Sequence, residues 1–359
     1  MEGLVLKFPT NVEMDFTTQQ YTRDSAKLLG QKLCPLVNTQ AQVVESDELD
    51  NDVGMTGVHT MDTDPRVRRR PGSRLHSFEP IPHKETELIK ESEMLKARAW
   101  GTLGGVINIE YLVMDAFRRA MGMDDIRIEW EIWQMFQGEL NIDENGYKLE
   151  EEFAIQEFTP NVAWDDLENA KVLSDLDTVS QMFVGTGASA QGAVMVGNGV
   201  TLNKIFENKN TDDLKGFTNE NFRVATYSVE DLNKLLTARK RPTFLEYDEG
   251  FYRTKQEFEK FIPDGTLIVV GKRMAGQQNT EYKLTPTLHR TQNGMPAPGR
   301  FAFLTVNGQP NVTGTQAVSL QQLGQHGNPN IGVVHGFYGG PIMRYPRSII
   351  KINAFTPEE

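Results

Sequence analysis

The chain has 359 residues, enough at about 150 residues per domain for two domains or one with a large elaboration, and enough to bury a sizeable core. Its 37 Lys and Arg against 49 Asp and Glu leave a formal charge of −12, which argues against tight wrapping of nucleic acid, since duplex affinity comes largely from cations neutralising phosphates. The single cysteine excludes an internal disulfide framework and a Cys-rich zinc or iron–sulfur centre, and suits a reducing compartment.

The segment Met1 to Pro9 has only a short apolar stretch behind Glu2, unlike a secretory signal. No stretch approaches the roughly 18 apolar residues of a membrane span, so a soluble chain made in a cytosol is expected. Residues 1–60 carry polar runs (Thr17 to Gln20, Asn38 to Gln42) and an acidic cluster from Glu45 to Asp52 around one apolar patch, Leu28 to Leu36. Such a segment cannot offset its own ordering entropy by burial. It is either disordered or an arm lying on something else. Arg66, Arg68, Arg69, Arg70 and Arg74 follow, interrupted by Pro65 and Pro71-Gly72, and Leu75 to His83 reads as extended chain because Pro80 and Pro82 exclude helix. This describes a long loop with a basic tip.

Residues 87–122 are expected to be helical, with Leu95, Ala99, Leu103, Leu112, Ala116, Phe117 and Ala120 on an apolar face and a weak point at Gly101, Gly104 and Gly105. In 124–137, Ile126, Ile128, Trp130 and Ile132 alternate as in a strand, whereas Ile126, Trp130 and Trp133 fit helical spacing. Asp124 and Asp125 ahead of the run favour a helix N-terminus. Asp143-Glu144-Asn145-Gly146 predicts a hairpin between Leu140–Ile142 and Tyr147–Ile155. An amphipathic helix is expected over 162–183, opened by Asp165 and Asp166 and lined by Leu167, Ala170, Leu173, Leu176, Val179 and Phe183. Beyond it come a strand at Ala193–Val196, a turn at Gly197-Asn198-Gly199 and a helix from Thr201 to Phe206. Phe222–Tyr227 reads as a strand, and Ser228 to Asp231 as a capping-box variant opening a helix to Leu236. Short strands are expected at Phe244–Tyr247 and Phe251–Arg253. Pro263-Asp264-Gly265 turns into the apolar strand Thr266–Val270. Residues 272–335 are Gly-, Asn-, Gln- and Thr-rich with one hairpin signal, Asn307-Gly308, and Ser348–Ala354 forms a last strand.

The chemical motifs are sparse. Gly187-Ala188-Ser189-Ala190-Gln191 resembles a nucleophile elbow without its second glycine, and a small-residue loop is the simpler reading. Gly185, Gly187 and Gly192 have the wrong interval for a dinucleotide fingerprint, and no phosphate-binding loop ends in Gly-Lys-Ser/Thr. His59, His76, His83, His289, His326 and His335 lack metal-ligand spacing. Cys34 reads as a packed thiol, Glu150 to Glu152 as a solvated edge, and Trp130 with Trp133 as core rather than a ligand platform. Arg68-Arg69-Arg70 could contact phosphate, bridge to a neighbour's carboxylates or be simply solvated; the acidic arm beside it favours subunit bridging over a nucleic-acid grip.

The order of elements resembles a tailed-phage major capsid protein of the lambda type, with the Hong Kong 97 capsid fold. The likeness is carried by Ser77-Phe78-Glu79-Pro80 through Pro82-His83-Lys84-Glu85, by Asp165-Asp166-Leu167-Glu168, and by Ala193-Val194-Met195-Val196-Gly197 with Gly199, Leu202 and Phe206. Its densest stretch is Ile262-Pro263-Asp264-Gly265-Thr266 to Gly271, followed by Gly339-Gly340-Pro341-Ile342 and Ser348–Ala354. The resemblance implies an α+β fold with an N-terminal arm (1–60), an extended loop (61–86), a peripheral domain (87–159 with 336–359) and an axial domain (160–335). It implies a structural role without catalysis, cofactor or metal, in a virion capsid assembled in the host cytoplasm. The partners it implies are the chain itself in hexamers and pentamers, portal, scaffolding and decoration proteins, and enclosed double-stranded DNA bound without sequence specificity; no membrane is involved. Arg68, Arg69, Arg70, Arg74 and Phe78 are the candidate inter-subunit contacts. Competing readings are a cellular nanocompartment shell of the same fold, a hydrolase using Ser189, and a tail-tube subunit.

Overall fold

The computed structural model describes residues 5–6, 28–49, 58, 73–90, 92–93, 109–208, 229–253, 257–273, 278–292, 295–306, 309–312, 318–319 and 330–356. The chain forms two compact units, each assembled from separated stretches. Met1–Val44, Phe78–Glu129 and Tyr282–Gly340 make the first; Glu45–Ser77, Trp130–Glu281 and Pro341–Glu359 make the second.

The first unit is built on the long strand Asn330–Met343. On one side it pairs antiparallel with Ile81–Lys90, from Asn330↔Lys90 to Gly339↔Ile81. It also pairs with Phe301–Val306, which in turn pairs antiparallel with Gln309–Val312; the turn predicted at Asn307-Gly308 lies outside the described residues. Ile331, Val333 and Ile89 lie on the same face and meet Val113, Ala116, Phe117, Ala120 and Met121 of the helix Ile109–Gln137. Those helix positions repeat every three to four residues, which is what one buried helical face requires. Each buried Val, Ile, Phe or Met among them contributes about 1.5–3 kcal/mol.

Three expectations change here. Glu87 to Lys90 continue the strand Ile81–Lys90 instead of opening a helix. The strand's partner, some 245 residues on, supplies ladder hydrogen bonds that outweigh local helix propensity. Asp124 and Asp125 are not at a helix start: the helix begins fifteen residues earlier, at Ile109, and buries both. Leu28 to Asn38 does pack, and on its own chain. A short helix, Leu29–Leu33, leads to fully buried Cys34 and the strand Leu36–Asn38, which adds in parallel to Thr280–Leu284. The expected weak point at Gly101, Gly104 and Gly105 lies outside the described residues, as do Phe222–Tyr227 and Ser228.

The second unit centres on a five-stranded sheet in the order Thr243–Glu246, Ala188–Gly197, Thr266–Arg273, Ile349–Asn353, Gln156–Phe158. The outer pairs are parallel and the inner ones antiparallel. Met195, Leu267, Val269, Ile350 and Ile352 pack against Leu176 and Val179 of the helix Val172–Met182, Leu202 and Ile205 of Gly199–Glu207, and Leu232 and Leu236 of Val229–Ala238. The predicted turn before the central strand is real: Gly265 has φ +78°, and a Cβ there would sit 2.1 Å from the Phe355 carbonyl oxygen. Asn198 caps its helix, accepting from the Thr201 N–H at 2.9 Å, while its amide donates to Asp264 Oδ1 at 2.6 Å. The Thr201 hydroxyl in turn accepts from Gly265 N–H at 2.9 Å, so strand–turn–helix and Pro-Asp-Gly turn lock each other.

The helix expected over 162–183 starts only at Val172. Trp164 is buried and donates its indole N–H to Asp175 Oδ2 at 3.0 Å, and Asp166 accepts from the Glu168 and Asn169 N–H groups. Both acids of the supposed first turn thus belong to a loop, the short-range bonding that Asp offers in turns. The hairpin Glu139–Glu144 to Tyr147–Glu152 forms as predicted, with Asn145 at φ 52° and Gly146 at φ 83°. In 272–335 the structure has more strand than its composition suggests: Thr280–Leu284, Pro286–Gln292, Met295–Pro298 and Phe301–Val306 all pair.

Candidate inter-subunit surface

The extended segment enters as the strand Ser73–Phe78, paired with Val44–Leu49, and leaves along Ile81–Lys90. Its candidates fall into three groups. Arg74 is exposed. Phe78 is buried in its own chain, close enough to Gly340 that a Cβ there would come within 2.5 Å of the ring. Arg68, Arg69 and Arg70 lie outside the described residues.

At the root of this segment His76 Nε2 meets Glu151 Oε2 at 3.2 Å and its ring stacks on Phe153. Glu151 belongs to the hairpin Glu139–Glu152, whose other carboxylates are unusually concentrated. Glu139, Asp143, Glu144, Glu150, Glu151 and Glu152 stand against Lys148 alone. Strand alternation buries Leu140 and Ile142 and exposes Glu139, Asn141, Asp143, Lys148, Glu150 and Glu152. Glu139 is directly opposite Glu152, a like-charge pairing that weakens a hairpin by itself. Within the hairpin, Lys148, 2.9 Å from Glu150, offsets part of the row. The edge is solvated, as the sequence suggested, and it is also a strongly anionic ribbon face.

A second set of acids, not anticipated as interaction residues, lies on the helix Ile109–Gln137, and two of them hold the segment Leu28–Asn38. Glu129 is fully buried, and its carboxylate accepts from the Gly30 N–H at 2.6 Å and the Gln31 N–H at 3.1 Å. Asp125 accepts from the Gln31 amide and from the Arg300 guanidinium. Asp124 Oδ1 lies 2.9 Å from His335 Nδ1. In the sequence these acids stand at i, i+1 and i+5 among other charges of the same helix, such as Asp115, Arg118, Arg119, Arg127 and Glu131, so nothing in the residues alone singles them out.

The residues weighed for other chemistry are occupied structurally. Ser189 lies within the strand Ala188–Gly197 rather than in a loop, and its Oγ accepts from the Gln191 N–H at 3.1 Å. Trp133 is fully buried between Phe136 and Tyr247. Among the described histidines, His76 and His335 pair with carboxylates, while His83 and His289 lie against Phe337 and Phe301. Among the described residues no three His, Cys, Asp or Glu side chains converge to hold a metal ion, and no helix is long and apolar enough to cross a membrane.

A family model described as phage major capsid protein E matches residues 25–313. No curated protein sequence matches the chain. Among solved structures, a prophage protein of Escherichia coli CFT073 assigned as its capsid protein is similar, with a TM-score of 0.59, 13% identity, and coverage of 98% of this chain and 100% of that one. A phage-related protein of Bordetella bronchiseptica RB50 has a TM-score of 0.53 at 12% identity, covering 98% and 99% of the two chains.

Proposed function

Because the chain belongs to the phage major capsid protein E family and has the Hong Kong 97-like capsid fold, we propose that it forms the hexamers and pentamers of an icosahedral head enclosing double-stranded DNA. A capsid subunit is a structural component of the virion; on this reading the chain performs no catalysis and needs no cofactor. The observation that carries the reading is the family match over most of the chain together with the two-unit fold. The five-stranded unit is proposed to face the symmetry axis and the unit of the long strand to form the periphery. Ile349–Asn353 pairs with Thr266–Arg273, so this proposal places that strand with the axial domain rather than with residues 336–359 of the periphery.

On this reading the Arg66–Arg74 tip reaches a neighbouring subunit, where the anionic face of Glu139–Glu152 supplies partners of matching charge. Arg66, Arg68, Arg69, Arg70 and Arg74 bring five cations, and the hairpin a net of minus five. Portal, scaffolding and decoration proteins are the further partners proposed, with assembly in the host cytoplasm.

The test is expression of the chain alone, followed by negative-stain imaging. Closed particles are expected; open tubes or stacked rings would assign the chain to a tail instead. Nuclease-protected genomic DNA inside particles from infected cells distinguishes a phage head from a cellular nanocompartment, which would enclose protein. Ser189→Ala is expected to leave particle yield unchanged, and a loss of hydrolytic activity in that variant would overturn the non-enzymatic reading.

A further inference from the structure

His335 lies midway along the central strand of the first unit, on the face that carries Ile331 and Val333 toward the long helix. It and Asp124 are buried, 2% and 4% exposed, with Nδ1 and Oδ1 2.9 Å apart. The other two polar atoms, His335 Nε2 and Asp124 Oδ2, are sealed from solvent with no hydrogen-bond partner among the described residues. Such groups lose solvation without full compensation, so the pair's protonation state has structural consequences.

The neighbouring charges decide which state is preferred. Glu85 pairs with His335 in register and Glu87 with Val333, so both point to the same face from Ile81–Lys90. The helix contributes Asp124, Asp125 and Arg119, the last paired with Glu87. Arg300, just before Phe301–Val306, pairs with Asp125. Around the His335–Asp124 pair these elements carry four carboxylates against two guanidinium groups, with His83 on the same strand face as Glu85 and Glu87. A neutral ring leaves that excess uncompensated between helix and sheet, and an imidazolium halves it.

We propose that the proton on the His335–Asp124 pair fastens the strand Ile81–Lys90 and the long helix to the central strand, making the root of the extended loop a pH-sensitive joint. Burial works against the charged ring and is the largest single effect. The hydrogen bond and charge of Asp124, with Glu85 and Glu87, together outweigh it and raise the His335 pKa above 6.5. Burial also raises Asp124 above its ordinary value. Both shifts describe one pair that holds its shared proton more tightly than isolated groups would. A raised folded-state pKa gives stabilisation that is complete below about 6.5 and is lost as pH rises through the higher folded value. The joint is therefore tight in mild acid and loosens in alkali.

Hydrogen–deuterium exchange of the soluble full-length subunit tests this, with rates corrected for the intrinsic effect of pH. Protection of Ile81–Lys90 and Ile331–Gly336 is expected to be lost as pH rises from 6 to 9. Thr266–Arg273 in the second unit should stay constant. In His335→Gln, protection of the two joint segments should be low throughout and independent of pH. In Asp124→Asn, which keeps the imidazole but removes its anion, the fall should move toward lower pH. Equal pH profiles in wild type and His335→Gln would overturn the proposal. Should that variant fail to fold, an unmoved midpoint in Asp124→Asn would overturn it equally. Either result is independent of whether the chain forms shells.

Discussion

Replacing Arg68, Arg69 and Arg70 together by glutamate is expected to abolish closed particles while leaving a folded, soluble subunit. The three changes alter the charge by −6, taking the chain from −12 to −18, and turn the tip from cationic to anionic. If the tip meets the face of Glu139–Glu152 on a neighbour, each attraction becomes a repulsion. Charges about 4 Å apart interact by about 1 kcal/mol in water and about 4 kcal/mol near a protein surface, so three reversed pairs remove several kcal/mol from every copy of the contact. Exposed pairs are screened by salt, and wild-type assembly should accordingly slow at high ionic strength. The compensating variant is specific: adding Glu150→Arg and Glu152→Arg to the reversed tip should restore particles seen by electron microscopy. Normal shells from the triple reversal would show that these arginines are solvated and carry no contact.

Glu129→Ala is expected to destabilise the subunit by about 3 kcal/mol, because it leaves the Gly30 and Gln31 N–H groups without their acceptor, at about 1–3 kcal/mol for each buried group. A lowered urea midpoint measures this. A sharper measurement is available because Cys34, the chain's sole thiol, is fully buried at the end of Leu29–Leu33, the short helix that Glu129 holds. Opening of Leu28–Asn38 exposes it, and 3 kcal/mol corresponds to roughly 100-fold faster labelling. Glu129→Gln keeps one acceptor and should lie between. Labelling unchanged in Glu129→Ala would mean that the parallel pairing of Leu36–Asn38 with Thr280–Leu284 holds the segment by itself.

What could be read in advance follows the range of the interaction that decides each element. Asn145-Gly146 announces its hairpin because both residues accept positive φ, a property of two adjacent positions. Thr266–Val270 and Ile349–Ile352 are apolar enough to be buried on either face, and their strand character needs no distant partner to be recognised. Asp124 and Asp125, by contrast, look like a helix start until His335, 211 positions away, and Arg300, 175 away, are placed beside them. Glu87 to Lys90 look helical for the same reason: their partner strand is remote. The candidate surface was legible by halves. Three consecutive arginines are visible as a cluster, but the hairpin that matches their charge reads only as a solvated edge until strand pairing puts Glu139 opposite Glu152. The arm's anchorage was illegible, since a carboxylate receiving two backbone N–H groups leaves no mark in the residues that donate them.

Both units draw a central strand from late in the chain. Asn330–Met343 is the spine of the first sheet, and Ile349–Asn353 sits inside the second, between Thr266–Arg273 and Gln156–Phe158. The first sheet cannot close until the ribosome has passed residue 343, and the second not until it has passed residue 353. A nascent chain thus lacks the completed surface that would dock onto finished subunits, and polysomes crowded with the same message present incomplete sheets to one another. On the proposed reading, the order of translation itself delays association until both central strands are in place.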